Sequence, residues 1–173
     1  MPTLASVTLV LGGARSGKSR YAESLVTTAT PPWTYIATAQ AGDGEMATRI
    51  AAHRSRRGGQ WKTVEAPRDL AGALATPDSS PHLVDCLTLW LSNIMLANAD
   101  IEAEVVKLES ALRATSVPIV LVSNEVGSGI VPDNALARQF RDWQGILNQR
   151  IATLATRVVL VVAGLPMIVK GEP

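Results

Sequence analysis

The chain has 173 residues, of which 47% are hydrophobic and 18% charged, so the composition excludes an intrinsically disordered protein. A net charge of +1 gives no indication of a nucleic-acid partner or an anionic membrane surface, and no apolar run approaches the length of a membrane span. The single cysteine, Cys86, excludes an internal disulfide, and we expect one cytoplasmic domain over residues 1–173, without a signal peptide.

The first predicted elements are a strand over residues 5–11, a glycine-rich loop, and a helix that begins at Lys18. The loop reads G-G-A-R-S-G-K-S and fits the phosphate-binding pattern G-x-x-x-x-G-K-[ST]. Glycines allow the backbone to wrap around phosphate oxygens, Lys18 can reach the β- and γ-phosphates, and Ser19 can ligate Mg²⁺. The strand–loop–helix context disfavours an incidental glycine turn. The predicted phosphate-binding residues are Gly12, Gly13, Ala14, Arg15, Ser16, Gly17, Lys18 and Ser19.

The remaining pattern alternates strands and helices. The first helix is predicted to end near residue 28, before two prolines. Further strands are predicted at 33–38, 60–65, 82–86, 117–123 and 157–163, with an edge strand at 166–170 after a turn at 164–165. Further helices are predicted at 45–57, from 67, at 87–98, from 101 to 113 with Asp100 as cap, and from Asp133 as cap to about 156. This alternation predicts an α/β fold with a mostly parallel sheet and helices on both faces.

Asp85 ends a short buried strand near the predicted P-loop strand. An acid at that position can hold Mg²⁺, directly or through water, as the Walker-B aspartate does in P-loop proteins. Two alternatives remain: Asp85 could cap the helix that begins at residue 87, or contact the sugar or base of a nucleotide. The helix at 87–98 is strongly apolar, which fits the core, an oligomer contact or a partner surface.

The two histidines have different surroundings. His82 begins a buried strand, and we interpret it as structural. His53 lies on a predicted polar helix with Arg49 and Arg57 on the same face. A neutral imidazole is a nucleophile toward activated phosphorus, and nearby arginines would lower its pKa and stabilise phosphate charge. A solvated basic helix face is the alternative that composition alone favours.

In combination, these motifs resemble the bifunctional adenosylcobinamide kinase / adenosylcobinamide-phosphate guanylyltransferase family of cobalamin synthesis. The resemblance runs through nearly the whole chain. It rests on G-G-A-R-S-G-K-S-R-Y-A-E (12–23), Y-I-A-T-A-Q (35–40), D-G-E-M-A-T-R-I-A-A-H-R (43–54), W-K-T-V-E-A-P (61–67), V-D-C-L-T-L-W (84–90), S-N-E-V-G-S-G-I-V-P (123–132) and A-R-Q-F-R-D-W-Q-G-I-L-N-Q-R-I-A (137–152).

The resemblance implies two reactions. A kinase phosphorylates the aminopropanol hydroxyl of adenosylcobinamide with ATP or GTP, and a transferase moves GMP from GTP onto adenosylcobinamide-phosphate, releasing pyrophosphate. It also implies a RecA-type P-loop fold and a homotrimer. The implied catalytic residues are His53, which becomes guanylylated, and Lys18. The implied nucleotide contacts beyond the P-loop are Thr38, Ala39, Gln40, Arg54, Arg57, Glu65 and Asp85, and Mg²⁺ is expected at Ser19 and Asp85.

The chain departs from the family pattern at two positions. Some members have a histidine pair where this chain has Ala52 and His53, and Asp85 stands where members have Glu. The shorter acid keeps the charge but has a shorter reach. Two other functions are weighed against this one: a P-loop binding module or ATPase without a covalent adduct, and a small-molecule kinase without the transferase.

Overall fold

The computed structural model describes residues 6–40 and 58–172, in which seven strands form one sheet with the order β3-β2-β4-β5-β1-β6-β7. The strands are β1 (Val7–Gly12), β2 (Trp33–Ala37), β3 (Trp61–Glu65), β4 (His82–Asp85), β5 (Ile119–Asn124), β6 (Arg157–Val162) and β7 (Leu165–Lys170). The helices are α1 (Lys18–Val26), α2 (Leu70–Ala75), α3 (Leu87–Leu96), α4 (Ile101–Ala114) and α5 (Ala135–Leu154). The helix predicted at 45–57 lies outside the described residues.

All strand pairs are parallel except β6 and β7, so the predicted mostly parallel sheet is confirmed. The carboxyl ends of the parallel strands therefore meet at one edge of the sheet. Gly12 at the end of β1 is level with Asn124 of β5, while Ala37 of β2 is level with both Glu65 and Asp85. Strand β5 lies between β1 and β4, which separates Asp85 from the P-loop strand by one strand.

The core lies on both faces of the sheet. Helix α1 packs through Ala22 and Val26 against one face, while α2, α3, α4 and α5 contribute to the larger cluster on the other. Neighbouring residues of one strand, such as Leu9 and Val10, belong to different clusters. Because both faces are covered, the central strands are apolar at consecutive positions rather than alternating, as their sequences predicted.

Helix α3 belongs to the core. Its residues Leu87, Thr88, Trp90, Leu91 and Ile94 are buried, and the indole N–H of Trp90 donates to the carbonyl of Arg68 at 2.7 Å. Of the three interpretations of this apolar helix, core packing therefore accounts for most of its surface. Among the helices that the structure describes, none combines the length and apolarity needed to cross a bilayer.

Several predicted element ends were wrong by a few residues. Asn134, not Asp133, caps α5, and its side-chain oxygen accepts from the amide of Ala137 at 2.8 Å. Helix α2 begins at Leu70, because Asp69 caps it by accepting from the amide of Gly72. The turn before β7 uses residues 163 and 164, both with positive φ, rather than 164 and 165. The Asp100 cap of α4 is confirmed.

Candidate functional site

The P-loop joins β1 to α1 through a backbone that contains left-handed residues. Arg15 has φ 55° and Gly17 has φ 94°, and the amide of Ser16 donates to the carbonyl of Gly13 at 3.3 Å. A Cβ at Gly17 would also lie 3.2 Å from Cα of Gly164, in the turn between β6 and β7. Glycine is therefore required at position 17 both for its φ and for this close approach.

Gly12 brings the beginning of the loop against the neighbouring strand. A Cβ there would contact the side chain of Ser16 and lie 2.8 Å from the carbonyl oxygen of Val161. The hydroxyl of Ser16 is buried and has no hydrogen-bond partner among the described residues. Helix α1 begins directly after the loop, and its cap, Gly17, makes no side-chain cap hydrogen bond. The free amides at this helix N-terminus and the backbone nest before it suit a phosphate group.

Lys18 and Ser19 occupy the first turn of α1. The Lys18 ammonium donates to the carbonyl oxygen of Gly13 at 3.1 Å, so its side chain folds back across the loop. Both side chains are half-buried, which leaves them accessible at the mouth of the loop. The structure therefore puts the Lys18 ammonium beside the backbone of the P-loop and leaves the Ser19 side chain accessible in the next position of the helix.

Asp85 ends β4 at the same edge of the sheet. Its half-buried carboxylate accepts a hydrogen bond from the hydroxyl of Tyr35 at 3.1 Å. It does not cap α3, because Cys86 occupies that cap position, without a side-chain cap hydrogen bond. The N-cap alternative for Asp85 is therefore excluded.

The donor set fits Mg²⁺ rather than a metal held entirely by protein. In the part of the chain that the structure describes, no group of three or more His, Cys, Asp or Glu side chains could hold a metal. Mg²⁺ in phosphate-transfer sites is usually held by one or two protein oxygens together with water and substrate phosphates. The hydroxyl of Ser19 and the carboxylate of Asp85 have oxygen atoms of the chemical type that such a site uses.

Thr38 has a structural role at the end of β2. Its fully buried hydroxyl accepts from the amide of Cys86 and donates to the carbonyl of Cys86, both at 2.7 Å. Its carbonyl accepts from the amide group of Asn93 at 2.8 Å. These bonds tie β2 to the beginning of α3, so Thr38 supports the sheet edge.

In the predicted stretch 38–40, Gln40 is the residue that presents an exposed side chain.

The other predicted site residues divide into those at the sheet edge and those elsewhere. Glu65 ends β3 and is exposed at the same edge. His82 starts β4 at the opposite edge, is buried, and its Nδ1 lies 2.6 Å from the carbonyl of Ser80. The structural interpretation of His82 therefore agrees with its contacts. The predicted residues His53, Arg54 and Arg57 lie outside the described residues.

Burial controls the chemistry of the single cysteine. It raises the pKa of the Cys86 thiol to about 11, with a further contribution from the charge of Asp85. A thiol with this pKa is protonated at neutral pH and is a poor nucleophile. Although it lies beside the predicted site, Cys86 acts as a packing residue.

A buried polar cluster behind the sheet edge was not predicted from the sequence. The Gln144 amide donates to the hydroxyl of Ser123 and to Oδ1 of Asn148, both at 3.0 Å. The hydroxyl of Ser123 donates to the same Asn148 oxygen at 2.7 Å, and Asn148 donates to the carbonyl of Asn124 at 3.0 Å. The cluster fixes α5 against the carboxyl end of β5. The available signal was the pair Gln144 and Asn148, four residues apart on an otherwise apolar helix face.

Comparisons with known proteins agree with this architecture. The family model described as cobinamide kinase / cobinamide phosphate guanyltransferase matches residues 8–169. The bifunctional adenosylcobalamin biosynthesis protein CobP of Pseudomonas aeruginosa is 50% identical over 169 residues, which cover 95% of this chain and 98% of that protein. The bifunctional adenosylcobalamin biosynthesis protein CobU of Salmonella typhimurium is 43% identical over 180 residues, which cover 94% of this chain and 98% of that protein.

Solved structures with distant sequences share the fold. The ATPase EscN of the type III secretion system of enteropathogenic E. coli has a TM-score of 0.56 at 12% identity, covering 92% of this chain and 43% of that one. The flagellar accessory protein FlaH of Methanocaldococcus jannaschii has a TM-score of 0.53 at 12% identity, and the match covers 96% of this chain and 79% of that one. At these identities the likeness establishes the fold alone, and it confirms the predicted P-loop NTPase-like fold.

Proposed function

The chain belongs to the cobinamide kinase / cobinamide phosphate guanyltransferase family, and we propose that it catalyses both reactions in that family name, in cobalamin biosynthesis. The kinase reaction phosphorylates the aminopropanol hydroxyl of adenosylcobinamide with ATP or GTP. The guanylyltransferase reaction then transfers GMP from GTP to adenosylcobinamide-phosphate. The observation that carries the proposal is a P-loop with the backbone geometry of a phosphate cradle inside a chain that matches this family over residues 8–169.

For the kinase reaction, phosphoryl transfer depends on positioning and on neutralising charge. We assign the γ-phosphate contact to Lys18, whose ammonium already lies across the loop. Ser19 and Asp85 would hold Mg²⁺, which supplies charge neutralisation at the phosphates when bound. The backbone of residues 12–17 would bind the phosphate oxygens through its amides. Each of these groups lies at the carboxyl edge of the sheet, and Lys18 would exchange its bond to the Gly13 carbonyl for one to the γ-phosphate.

For the transferase reaction, we assign the covalent step to His53. One imidazole nitrogen attacks the α-phosphorus of GTP, the bond to the leaving pyrophosphate breaks, and a phosphoramidate to GMP forms. A phosphate oxygen of adenosylcobinamide-phosphate then attacks the same phosphorus, and the phosphorus–nitrogen bond breaks to regenerate the imidazole. The cationic side chains of Arg54 and Arg57 would stabilise charge on the phosphates.

The other predicted contacts have unequal support. Gln40 and Glu65 are exposed at the carboxyl edge of the sheet, so their side chains can reach a nucleotide. Thr38 is buried and fully engaged with Cys86 and Asn93, so it would act through its neighbours. We also propose that the protein acts in the cytoplasm as a homo-oligomer, which the family resemblance suggests is a trimer.

Covalent labelling tests the proposal directly. The protein is incubated with GTP labelled at the α-phosphate and, separately, at the γ-phosphate, and acid-labile label on the protein is measured. We expect label from the α-position only, loss of it in His53→Ala, and its release on addition of adenosylcobinamide-phosphate. Peptide mapping provides an internal control, because the labelled peptide should contain His53 and not His82.

The same experiment separates the alternative functions. A P-loop ATPase module and a small-molecule kinase without the transferase would both leave the protein without α-label. Phosphorylation of adenosylcobinamide without α-label would assign the kinase alone. Label that persists undiminished in His53→Ala would refute the histidine relay.

A further inference from the structure

Asn124, the last residue of β5, has a fixed backbone and a side-chain oxygen without a partner. Its amide donates to the hydroxyl of Thr88 in α3 at 2.8 Å, and its carbonyl oxygen accepts from the side chain of Asn148 in α5 at 3.0 Å. The side chain is half-buried, and its Oδ1 is buried without a hydrogen-bond partner among the described residues. Since a buried acceptor without a donor is destabilising, its presence here indicates a donor that arrives with a ligand.

The Asn124 side chain lies on the face of the sheet that carries the P-loop helix. Side chains along a strand alternate between the two faces, and Val122, two residues earlier, packs in the cluster that contains Ala22 of α1. Ser123 lies on the other face, where its hydroxyl bonds to Asn148 of α5. Helix α1 begins directly after the P-loop, so Asn124 shares its face with the loop.

Asn124 also lies between the P-loop and the proposed metal ligand. It is level with Gly12, where the P-loop starts, and the amide of Glu125 donates to the carbonyl oxygen of Gly12 at 3.1 Å. On its other side, β5 pairs with β4, which ends in Asp85. Leu83 of β4 packs in the cluster that includes α1, so Asp85, two residues later, lies on the same face as Asn124.

The chemistry of the carboxamide oxygen narrows its ligand. Oδ1 accepts hydrogen bonds and cannot donate them, and phosphate oxygens are acceptors too, so the two are joined by a water that donates to both. Because Oδ1 makes no bond to a described residue where it lies, rotation of the carboxamide toward the site breaks none there.

We propose that Asn124 positions the terminal phosphate of a bound nucleoside triphosphate through such a water. The inference deepens the proposed function and rests on it for the nucleotide. A triphosphate held by the P-loop extends toward Asp85, and the strand that ends in Asn124 lies between the two. The inner phosphates stay with the amides of the loop, so this contact distinguishes a triphosphate from a diphosphate.

Binding and stability together test the proposal. The affinities for ATP and ADP are measured by equilibrium dialysis without corrinoid for the wild type, Asn124→Leu and Asn124→Ala. Leucine keeps the approximate shape of asparagine without its polar atoms, so ATP should bind about fivefold more weakly and ADP as in the wild type. Urea titration of the nucleotide-free Asn124→Leu protein should give an unchanged or higher free energy of unfolding, because an unpaired buried acceptor is removed.

The matched control is Ser123→Ala, at the neighbouring residue on the opposite face. Its hydroxyl bonds to Asn148 and Gln144, so its loss should lower the free energy of unfolding and leave both nucleotide affinities unchanged. The two adjacent positions are therefore expected to show opposite patterns.

The outcomes separate this inference from the proposed function. A wild type that binds ATP but does not phosphorylate adenosylcobinamide contradicts the proposed function and leaves the contact intact. Unchanged ATP affinity in the Asn124 variants, or a wild type that does not bind ATP, overturns the inference. Equal weakening of ATP and ADP also overturns it, because the side chain would then serve the inner phosphates or the nucleoside. If Asn124→Leu does not fold, the ratio of ATP to ADP affinity in Asn124→Ala decides by the same criteria.

Discussion

Tyr35 connects the core of the sheet to the proposed metal ligand. Its hydroxyl donates to Asp85 at 3.1 Å, while its ring packs edge-on against Trp61 with centroids 6.3 Å apart. A carboxylate that ligates Mg²⁺ is usually oriented by such a second hydrogen bond. Tyr35 was not among the predicted site residues, because the two partners are 50 positions apart in the sequence.

Tyr35→Phe should weaken the binding of Mg²⁺ by the kinase with little effect on folding. Phenylalanine keeps the ring packing, and loss of one hydrogen bond of about 1 kcal/mol should raise the Mg²⁺ concentration for half-maximal activity about fivefold. Kinase rates measured against Mg²⁺ concentration check this. The control is Tyr21→Phe, at the only other tyrosine, which should titrate like the wild type. Identical curves for all three proteins would show that the hydrogen bond from Tyr35 does not orient a metal ligand.

The P-loop and Asp85 could be predicted from sequence because their signals are local. Eight consecutive residues define the phosphate cradle, and an acid after an apolar run defines the end of a strand. The contacts that hold the site are not local. Ser123 and Gln144 are 21 positions apart, and Thr38 and Asn93 are 55 apart, so only the folded chain brings them together. Thr38 shows the same dependence on distant residues, since its hydroxyl bonds to Cys86 and its carbonyl accepts from Asn93.

At the scale of elements, an ion cluster joins α4 to α5. The guanidinium of Arg150 contacts Glu109 at 2.6 Å and Glu102 at 2.7 Å, and Arg113 lies 3.7 Å from Glu109. The hydrogen bond from Arg150 lowers the pKa of Glu109, against the opposing effect of burial, and the charges of Arg150 and Arg113 lower it further. The cluster therefore couples the packing of the two helices to pH.

The lowered pKa of Glu109 predicts a stability contribution that disappears in acid. It is complete above the pKa of an unfolded glutamate, near 4.5, and is lost as pH falls through the lower value of the folded state. Glu109→Gln should reduce the free energy of unfolding at pH 7 by about 1–2 kcal/mol and flatten its dependence on pH below 4.5. Urea titrations at a series of pH values measure both effects.

The matched control for this cluster is Glu104→Gln. Glu104 contacts Lys107 at 2.6 Å in a surface pair of the same helix, and such pairs contribute less than about 1 kcal/mol. Its urea titrations should therefore remain close to those of the wild type at every pH. Two results would contradict the role given to the cluster. One is an equal loss of unfolding free energy in both variants at pH 7, and the other is a wild-type dependence of that free energy on pH below 4.5 in Glu109→Gln.

Element ends were harder to predict than elements. Asp133 and Asn134 are adjacent and both are good capping residues, so composition does not decide between them. The structure selects Asn134, whose side-chain oxygen accepts from the amide of Ala137. In the same way, the side chain of Asp69 caps α2, so this helix begins at Leu70 and not at Pro67.

At the scale of the whole molecule, the alternating pattern predicted the parallel sheet but not its strand order. Strand β5 is inserted between β1 and β4, although it follows β4 by more than 30 residues in the sequence. Its insertion is what brings the loop at 125–132 beside the P-loop. That neighbourhood depends on pairing between distant strands, which no local pattern encodes.

The last strand gives the proposed oligomer a testable surface. All six residues of β7 are exposed, with Met167 at 56% and Val169 at 64%, and the strand forms one edge of the sheet. Lys170 holds its end by donating to the carbonyls of Ala152 and Thr153 in α5, so the strand is fixed in place. An ordered apolar edge strand of this kind favours burial against another copy of the chain.

We therefore expect the wild type to sediment as an assembly larger than one chain, a trimer by family resemblance. Met167→Glu combined with Val169→Glu should shift it to a single 18.3 kDa chain, because each substitution places a charge in the apolar contact. Analytical ultracentrifugation across a range of concentrations measures this, and Val106→Glu on α4 is the control that should leave the assembly intact. A wild type that sediments as a single chain at every concentration would show that β7 remains exposed in solution, and an assembly that persists in the double variant would place the contact on another surface.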